Sequence, residues 1–175
     1  MTILFPEGVK SLGNTSIVVA PTIVDPQAPK VAEVSSGTGV VNASCYFYNV
    51  PAATTTAARA EKPRRACEIK ARQGFGIETT EIESLSYTYD PQGAVGDPAN
   101  KVKEALAPYT EAWIVMRDGL PAEAENLKAG DKVNLHRVEL GPQNRTRTGD
   151  DDQAEFSITQ DVTVQESHYD VEIVT

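Results

Sequence analysis

The chain has 175 residues, a formal net charge of -9, two cysteines and two histidines. This length suits one sizeable core and is short for two. Two cysteines are too few for a disulfide scaffold, and neither cysteines nor histidines show the spacing of a metal site. A signal-peptide pattern is missing, as is any apolar run of the ~20 residues that span a bilayer. We therefore expect one soluble domain that is made in a cytosol and holds no metal or cofactor.

The chain opens with a segment that predicts no packed element. Residues 1–15 lack periodicity and are punctuated by proline and glycine, which is typical of an arm that is ordered by a partner. Residues 16–24 are β-branched and apolar on both parities, which predicts a strand buried on both sides. Pro21 predicts an edge position or a break in that strand. We therefore divide the chain into an arm at 1–15 and one β-rich domain at 16–175.

The next segments alternate between aromatic and small side chains. Residues 40–50 are rich in aromatics and predict a strand, whereas the Thr- and Ala-rich residues 52–60 predict a loop. Cys45 and Cys67 lie in apolar surroundings, so both are expected to be buried free thiols.

A basic cluster lies between residues 59 and 72. Its aromatic neighbours fit a hydrophobic core better than a base-stacking platform, and a chain pI of about 4.7 argues against sequence-independent DNA affinity. A basic patch on an acidic protein predicts docking on an acidic patch of another copy. The aromatic neighbours are Tyr46, Phe47, Tyr48 and Phe75, and the predicted inter-subunit residues are Arg59, Lys62, Arg64 and Arg65.

The second half of the chain predicts strands around a single helix. Residues 77–89 predict one long strand, and its polar middle predicts that it projects beyond the core. The helix covers about residues 98–107, because Asp97 can cap its first turn and Pro98 suits that turn. A bulge is predicted between Leu135 and Val138, where the apolar parity changes. The remaining predicted strands are residues 112–117, 132–140, 154–164 and 169–174, the last two forming a hairpin with His168 near its turn.

The closing segment combines the clearest strand pattern with most of the net charge. Residues 150–175 contain eight carboxylates and no Lys or Arg. Side chains alternate between the two faces of a strand, so one face is predicted to pack on the core and the other to be polar and acidic. Localised charge of this kind bears on steering, repulsion and assembly. The core face carries Phe156, Ile158, Val162 and Val164, and the polar face carries Ser157, Thr159, Asp161, Thr163 and Gln165.

Motifs of catalysis do not occur. The sequence contains no nucleophile elbow, phosphate loop or dinucleotide fingerprint. Carboxylates are numerous enough that their number alone does not argue for a glycosidase. The patterns together predict a mainly β domain, a sandwich or barrel with one short flanking helix, that is not an enzyme.

The order of these motifs resembles the major tail tube proteins of long, flexible-tailed (siphovirus-type) bacteriophages, especially those of actinobacterial hosts. The resemblance covers most of the chain and no single motif in it is specific. The motifs are Ala20-Pro21-Thr22, the turn at 33–39, Arg64-Arg65-Ala66-Cys67, the strand that ends at 87–90, the helix followed by 113–119, Gly130 to Val133, and the acidic hairpin at 154–174.

The resemblance implies a structural virion protein that forms hexameric rings with a continuous inner β-barrel. The rings stack into a tail tube through which the genome passes without specific binding to the protein. Thr159, Asp161 and Thr163 would face the lumen, and the arm with loops 52–60 and 90–96 would join rings. Further partners would be the tape measure, tail terminator and distal tail proteins. The subunit would be made in the host bacterial cytoplasm and would contact no membrane.

Three other classes remain open on the residues alone. An immunoglobulin-like binding or decoration module of a virion would be stable as a monomer. A barrel that binds a small molecule would need a largely apolar cavity, and an enzyme would need a constellation outside the known motifs.

Overall fold

The computed structural model describes residues 7–122 and 126–175 and confirms a mainly β fold. Six strands form a curled antiparallel sheet in the order β2-β1-β6-β7-β8-β5, and β3 and β4 form a separate hairpin. The strands are β1 (Thr15–Ala20), β2 (Val41–Asn42), β3 (Ala53–Glu61), β4 (Gln73–Ile82), β5 (Leu85–Thr88), β6 (Glu111–Asp118), β7 (Lys132–Arg147) and β8 (Phe156–Glu172).

Each face of the curled sheet packs on a hydrophobic core. The inner core lies within the curl and takes side chains from β1 and β5 as well as from the central strands, including Ile17, Tyr87, Ile114, Leu140 and Ile158. The outer core lies on the opposite face and covers only half of it. It is formed by Val18, Trp113, Val115, Leu135 and Ile173 together with Val34 from a π-helical segment at Ala32–Ser36. Strand β1 is therefore buried on both sides, as its sequence predicts.

Residues 43–48 close the curl between its two ends. The amide of Ala43 donates to Ile17 O of β1 over 2.8 Å, and the amide of Tyr48 donates to Ser86 O of β5 over 3.0 Å. Strand β1 ends at Ala20, directly before Pro21, so the predicted break is confirmed.

The predicted helix is present within its predicted bounds. A 3-10 turn at Pro98–Asn100 leads into the helix α1 at Lys101–Ala105. Asp97 Oδ1 accepts from the amide of Ala99 over 2.8 Å, which is the predicted cap. Val102 and Leu106 are fully buried in the inner core, so the helix is held by its apolar side.

Four of the predicted segments are wrong. Only Val41–Asn42 of residues 40–50 is a strand, because the rest turns to close the curl. Residues 52–60 are not a loop but most of β3, since Thr and Ala pair readily with an adjacent strand. The long strand at 77–89 is two strands, β4 and β5, with a break at residues 83–84. The closing hairpin is one continuous strand, β8, so His168 lies inside a strand.

Strand β8 stays continuous because bulges absorb its changes of register. The pairing with β7 shifts between Arg137 and Val138, but the extra residue is Gln165 of β8, so the bulge predicted within β7 is wrong. The apolar parity of β7 changes because Leu135 packs in the outer core and Val138 in the inner core. A second shift lies between Leu140 and Gln143, and a third near Asp170, whose φ is 54°. These shifts keep the side chains of two long strands in phase with a curved core.

Several aromatic and thiol side chains predicted to be buried are exposed. Cys45 and Cys67 both lie on the surface. Phe156 is about half exposed because β8 begins beyond the inner core, and Phe75 is 77% exposed on the hairpin. Apolar neighbours in the sequence therefore do not predict burial of a side chain when its segment projects from the body of the subunit.

Candidate assembly surfaces

The half of the outer face that the outer core leaves open carries short polar and acidic side chains. Glu111 on β6, Glu139 on β7 and Thr163 on β8 lie side by side in register. Trp113, two residues from Glu111, packs in the outer core, so these three side chains share its face of the sheet. We call Glu139, Thr146, Thr159, Asp161 and Thr163 the polar strip.

The polar strip contains all three residues that were predicted to face a lumen. Asp161 and Thr163 are exposed and Thr159 is half-buried, whereas Val162 and Val164 pack against the inner core. Thr146 Oγ1 lies 2.9 Å from Ser157 Oγ and 3.3 Å from Thr159 Oγ1, which orders the hydroxyl groups.

The charge of the polar strip is negative. Arg137, at its border, donates to Glu111 Oε2 from Nε over 3.1 Å, and this hydrogen bond raises the pKa of Arg137. Among residues 7–122 and 126–175, Glu139 and Asp161 form no ion pair. Arg137 is therefore neutralised by its own partner, and the polar strip keeps its carboxylates.

Strand β7 has an unpaired edge along its second half. Strand β6 begins at Glu111, opposite Glu139, and the last bonds on that side join Leu140 to Tyr109 and Thr110. Beyond Leu140, no strand of the described chain pairs with β7 on the side away from β8. Pro142, which lacks an amide hydrogen, lies in this stretch, as an edge allows. We call residues 141–147 the open edge.

The hairpin β3–β4 runs alongside β8 without joining its sheet. Thr55 Oγ1 lies 2.8 Å from Thr80 Oγ1 and 3.1 Å from Tyr169 OH, which ties the hairpin to β8. A gap of about 240 Å³, lined in part by Glu78, Thr80 and Val164, separates β4 from β8. Because β5 continues β4 and pairs with residues 157–160, the hairpin extends towards the Glu172 end of β8.

The two faces of the hairpin differ in burial. Ala53 and Ile82 reach the inner core from the face that looks towards the body. Ile77, which is 83% exposed, lies on the other face. Beyond the register shift between Ala57 and Arg59, Phe75 pairs with Arg59 and is 77% exposed.

The four predicted inter-subunit residues lie together at the outer end of the hairpin. Arg59 is on β3, and Lys62, Arg64 and Arg65 follow in the connection to β4. All four are exposed, and none forms an ion pair with a described residue. Glu68, which accepts from Arg72 over 2.8 Å, neutralises only one cation of this region. We call residues 59–72 the basic tip.

An open groove of about 910 Å³ lies beside the segment that closes the curl. Most of its lining is apolar, and Leu12 in its wall is 95% exposed. Asp118 adds one carboxylate. The lining includes Leu12, Ile17, Cys45, Phe47, Tyr48 and Val50.

The groove borders the turn between β7 and β8. Tyr48 OH donates to Glu155 Oε2 over 2.6 Å. Burial and this carboxylate raise the pKa of Tyr48, so the phenol remains a donor. Residues 150–155, the acidic turn, carry four carboxylates and no basic side chain. The acidic turn stands at the Phe156 end of β8, opposite to the end that the hairpin follows.

A buried polar network that the sequence reading missed joins the helix to the sheet. Gln160 is polar, but it lies on the core parity of β8 and is fully buried. Its Oε1 accepts from Tyr87 OH over 2.9 Å, and its Nε2 donates to Gly141 O and Leu106 O over 2.8 and 3.2 Å. Gln143 Nε2 donates to Lys103 O over 2.9 Å. The side-chain amides of Gln160 and Gln143 thus donate to backbone carbonyls at the end of α1. In the sequence, the sign of this network is Gln160, a glutamine among the apolar residues of one strand face.

The two histidines support packing. His136 is fully buried in β7, with Nδ1 2.9 Å from Ser167 Oγ, and burial lowers its pKa to about 4. His168 stacks on Trp113, and its Nε2 lies 2.7 Å from Glu166 Oε1. Within the described residues, no group of three His, Cys, Asp or Glu side chains could hold a metal ion.

The fold and these surfaces define a β-rich subunit with open edges and exposed apolar and charged surfaces, of the kind that builds larger assemblies. The chain belongs to the phage tail tube protein family, whose model matches residues 4–175. It is therefore a structural component of a phage tail. No match was found among curated protein sequences. No helix of residues 7–122 or 126–175 has the length and hydropathy needed to cross a membrane.

Proposed function

We propose that this subunit assembles into hexameric rings that stack into the tail tube and that the genome passes through the lumen. The observation that carries the proposal is the long β7–β8 pair, which combines a polar, partly acidic face with an open edge. A wall strand of a conduit needs both features, one towards the lumen and one towards its neighbour.

The polar strip suits the wall of a DNA conduit. At ionic strength near 0.15 M charges are screened over about 8 Å, so a carboxylate repels phosphate only where it stands at the channel surface. Asp161 is exposed on such a surface, with hydroxyl groups on both sides of it along β8. Ring symmetry multiplies each charge, so one or two carboxylates per subunit keep DNA from adhering.

The open edge suits closure of the ring. Its unpaired amide and carbonyl groups are a template for a strand of another copy. The outer edge of β3 is also unpaired among the described residues, and it lies on the other side of the β7–β8 pair. A contact between two different edges is heterologous and closes into a ring when the rotation allows.

The remaining family-level expectations follow from this role. The arm at 1–15 would be ordered by neighbouring subunits, while 16–175 forms the β-rich domain. The tube would meet tape measure, tail terminator and distal tail proteins, and its subunits would be made in the host cytoplasm. Such a protein needs no catalytic residue.

Arg145→Pro tests ring closure. Because Thr148 N–H points to Glu155 O on β8, the alternation of a ladder directs the amide of Arg145 to the open side. Proline removes that edge donor and leaves the β7–β8 bonds intact. We expect wild-type rings and tubes by electron microscopy, and folded monomers of the variant by sedimentation.

Arg145→Ala is the matched control, because it removes the side chain and keeps the amide. It is expected to form rings. A wild-type chain that stays monomeric at high concentration would instead favour the immunoglobulin-like module, and a channel narrower than the ~20 Å of a DNA duplex would contradict the conduit.

A further inference from the structure

We propose that Gln143 is a positioning residue of the conduit wall. Together with Gln160 it holds a bulge of β7, and this bulge keeps Arg145 and Arg147 off the polar strip. The proposal rests on the proposed function and adds to it the residues that set the charge of the wall.

The bulge lies at the start of the open edge. Gly141 and Pro142 together lie opposite the single residue Asp161 of β8, because the pairing shifts between Leu140 and Gln143. A Cβ atom at Gly141 would lie 2.8 Å from the backbone oxygen of Asp161, so glycine is required there. Pro142 has no amide hydrogen to offer to a ladder, and proline in a sheet is found at edges and bulges. The local sequence therefore accommodates one extra residue at this point.

The bulge determines which side chains of the open edge share a face with the polar strip. Thr146 belongs to the polar strip, whereas Arg145 lies opposite Ile158, on the inner face that carries the inner core. Arg147 lies opposite Phe156 on this same inner face, and its guanidinium carbon is 5.4 Å from the centre of the Phe156 ring. Both arginines therefore point away from the polar strip.

A regular ladder without the bulge would reverse these faces. A slip of one residue moves every side chain of a strand to its other face. Arg145 would then lie opposite Ser157, and Arg145 and Arg147 would both join the polar strip. Their two positive charges would offset the two carboxylates of the strip, Glu139 and Asp161. Because guanidinium groups bind phosphate strongly, a wall that repels DNA would become one that holds it.

The apolar pattern of β7 does not set this register. Residues 141–147 contain no Leu, Ile, Val, Met or aromatic side chain, and register is weakly specified where no apolar set selects a face. The register must therefore be fixed by polar contacts.

The two glutamines provide these contacts. Gln160 Nε2 donates to the bulge carbonyl of Gly141 over 2.8 Å. Gln143 Nε2 donates to Lys103 O and Leu106 O, each over 2.9 Å. In the slipped register Gln143 would turn to the opposite face and lose its bonds to the end of α1. The observed register is thus the one that keeps both amides bonded.

Disulfide formation in the dissociated subunit reports the register without any need for assembly. In a background of Cys45→Ser and Cys67→Ser, Thr146→Cys with Ser157→Cys should form a disulfide on mild oxidation, because the two native hydroxyl oxygens lie 2.9 Å apart. Arg145→Cys with Ser157→Cys should remain reduced, because residue 145 lies on the other face. Mass spectrometry of the alkylated protein counts the free thiols.

Pro142→Val with Gln143→Ser should exchange these two results. Valine favours the inner face and restores a backbone amide, while serine gives up the bonds to α1. Ser157→Cys should then pair with Arg145→Cys and no longer with Thr146→Cys. Gln143→Ser alone should allow both disulfides, which decides the question if the double variant does not fold. Pro142→Val alone is the matched control, since it keeps Gln143, and it should give the wild-type disulfide.

Tubes of the double variant connect the register to the wall. They should retain DNA at low salt in a filter-binding assay, and addition of Arg145→Thr and Arg147→Thr should abolish this retention. Wild-type disulfides in both Gln143 variants would overturn the proposal, whether or not rings form. Exchanged disulfides in tubes that still release DNA would overturn the role of the arginines in the wall. A wild-type chain without rings would contradict the proposed function, while the disulfides would still decide the register.

Discussion

The two longest antiparallel pairs of the described chain, β7–β8 and β3–β4, differ in how far they pack on the hydrophobic cores. The central part of β7 contributes side chains to both cores, with Leu135 in the outer one and Leu140 in the inner one. The pair β3–β4 touches the inner core only through Ala53 and Ile82 at its base. Beyond that base its side chains are exposed on both faces, Phe75 and Ile77 among them.

This difference shows that backbone pairing between strands and side-chain packing on a core stabilise a segment independently. An isolated two-stranded hairpin is marginally stable in water, so within the subunit β3–β4 depends on the contacts at its base. The pair β7–β8 is fixed inside the subunit and can present a rigid polar face. One pair is thus anchored along its length in the subunit, and the other projects from it.

Truncation of an inner-core side chain should have the largest effect on the subunit. Ile114 is fully buried between β1 and β7, and Ile114→Ala should lower the free energy of unfolding by about 2–5 kcal/mol. Urea unfolding of the dissociated subunit measures this loss.

Ile77→Ala makes the same chemical change on the hairpin. Because Ile77 is 83% exposed, its loss should stay within about 0.5 kcal/mol. Equal losses at the two positions would show that the hairpin packs on the body of the subunit and would remove the contrast between the two pairs.

The next largest effect is expected in the pH dependence of the free energy of unfolding, and it should come from His136 in β7. Burial lowers the pKa of His136 to about 4 from its ordinary 6.5, so the unfolded chain takes up this proton before the folded chain does. Stability linked to His136 is complete above pH 6.5 and is lost as the pH falls to about 4. The loss is at most about 3 kcal/mol, since one pKa unit corresponds to ~1.36 kcal/mol.

His136→Phe separates this effect from the titration of carboxylates. Urea midpoints of wild type and variant, measured from pH 7 to pH 4, should shift relative to each other in favour of the variant as the pH falls. A constant difference across this range would show that His136 is not held neutral.

Loss of the buried amide at Gln160 should have an intermediate effect. Gln160→Ala leaves Tyr87 OH without its acceptor and Gly141 O without a donor. An unmade buried hydrogen bond costs about 1–3 kcal/mol, and the loss should appear in urea unfolding. Gln165→Ala, at an exposed position of the same strand, should change stability by less than about 0.5 kcal/mol. Equal effects would contradict the structural role of the network.

The sequence predicted best where a single periodicity controls a segment. The faces of β8 around Asp161 and the cap at Asp97 follow from alternation and a local hydrogen bond. The sequence did not predict the conformation of segments that are held by residues distant in the chain. Residues 43–48 turn because they join β1 to β5, and residues 52–60 form β3 because β4 lies beside them. Neither partner is visible in the local pattern.

The assembly surfaces were predictable in part for the same reason. The basic tip and the polar strip are each contiguous or periodic in sequence, so composition and alternation found them. The groove combines residues near positions 12, 47 and 118, and the open edge exists because β6 is shorter than β7. Such surfaces depend on relative strand lengths and on closure of the curl. Pro142 was the one local sign of an edge.

The smallest change in the stability of the subunit is expected at Asp161. A substitution there also tests the polar strip most directly. Asp161 is exposed and forms no ion pair with a described residue, so Asp161→Lys should change the free energy of unfolding by less than about 0.5 kcal/mol. In an assembled tube, however, it would place six cations per ring on the wall if the ring is hexameric. Tubes of the variant should then retain DNA at low salt in a filter-binding assay, whereas wild-type tubes should not. Glu172→Lys makes the same charge change at an exposed position of β8 on the other face of the sheet, and it should not retain DNA. Retention by both variants would mean that net charge alone is responsible, and retention by neither would place Asp161 away from the lumen.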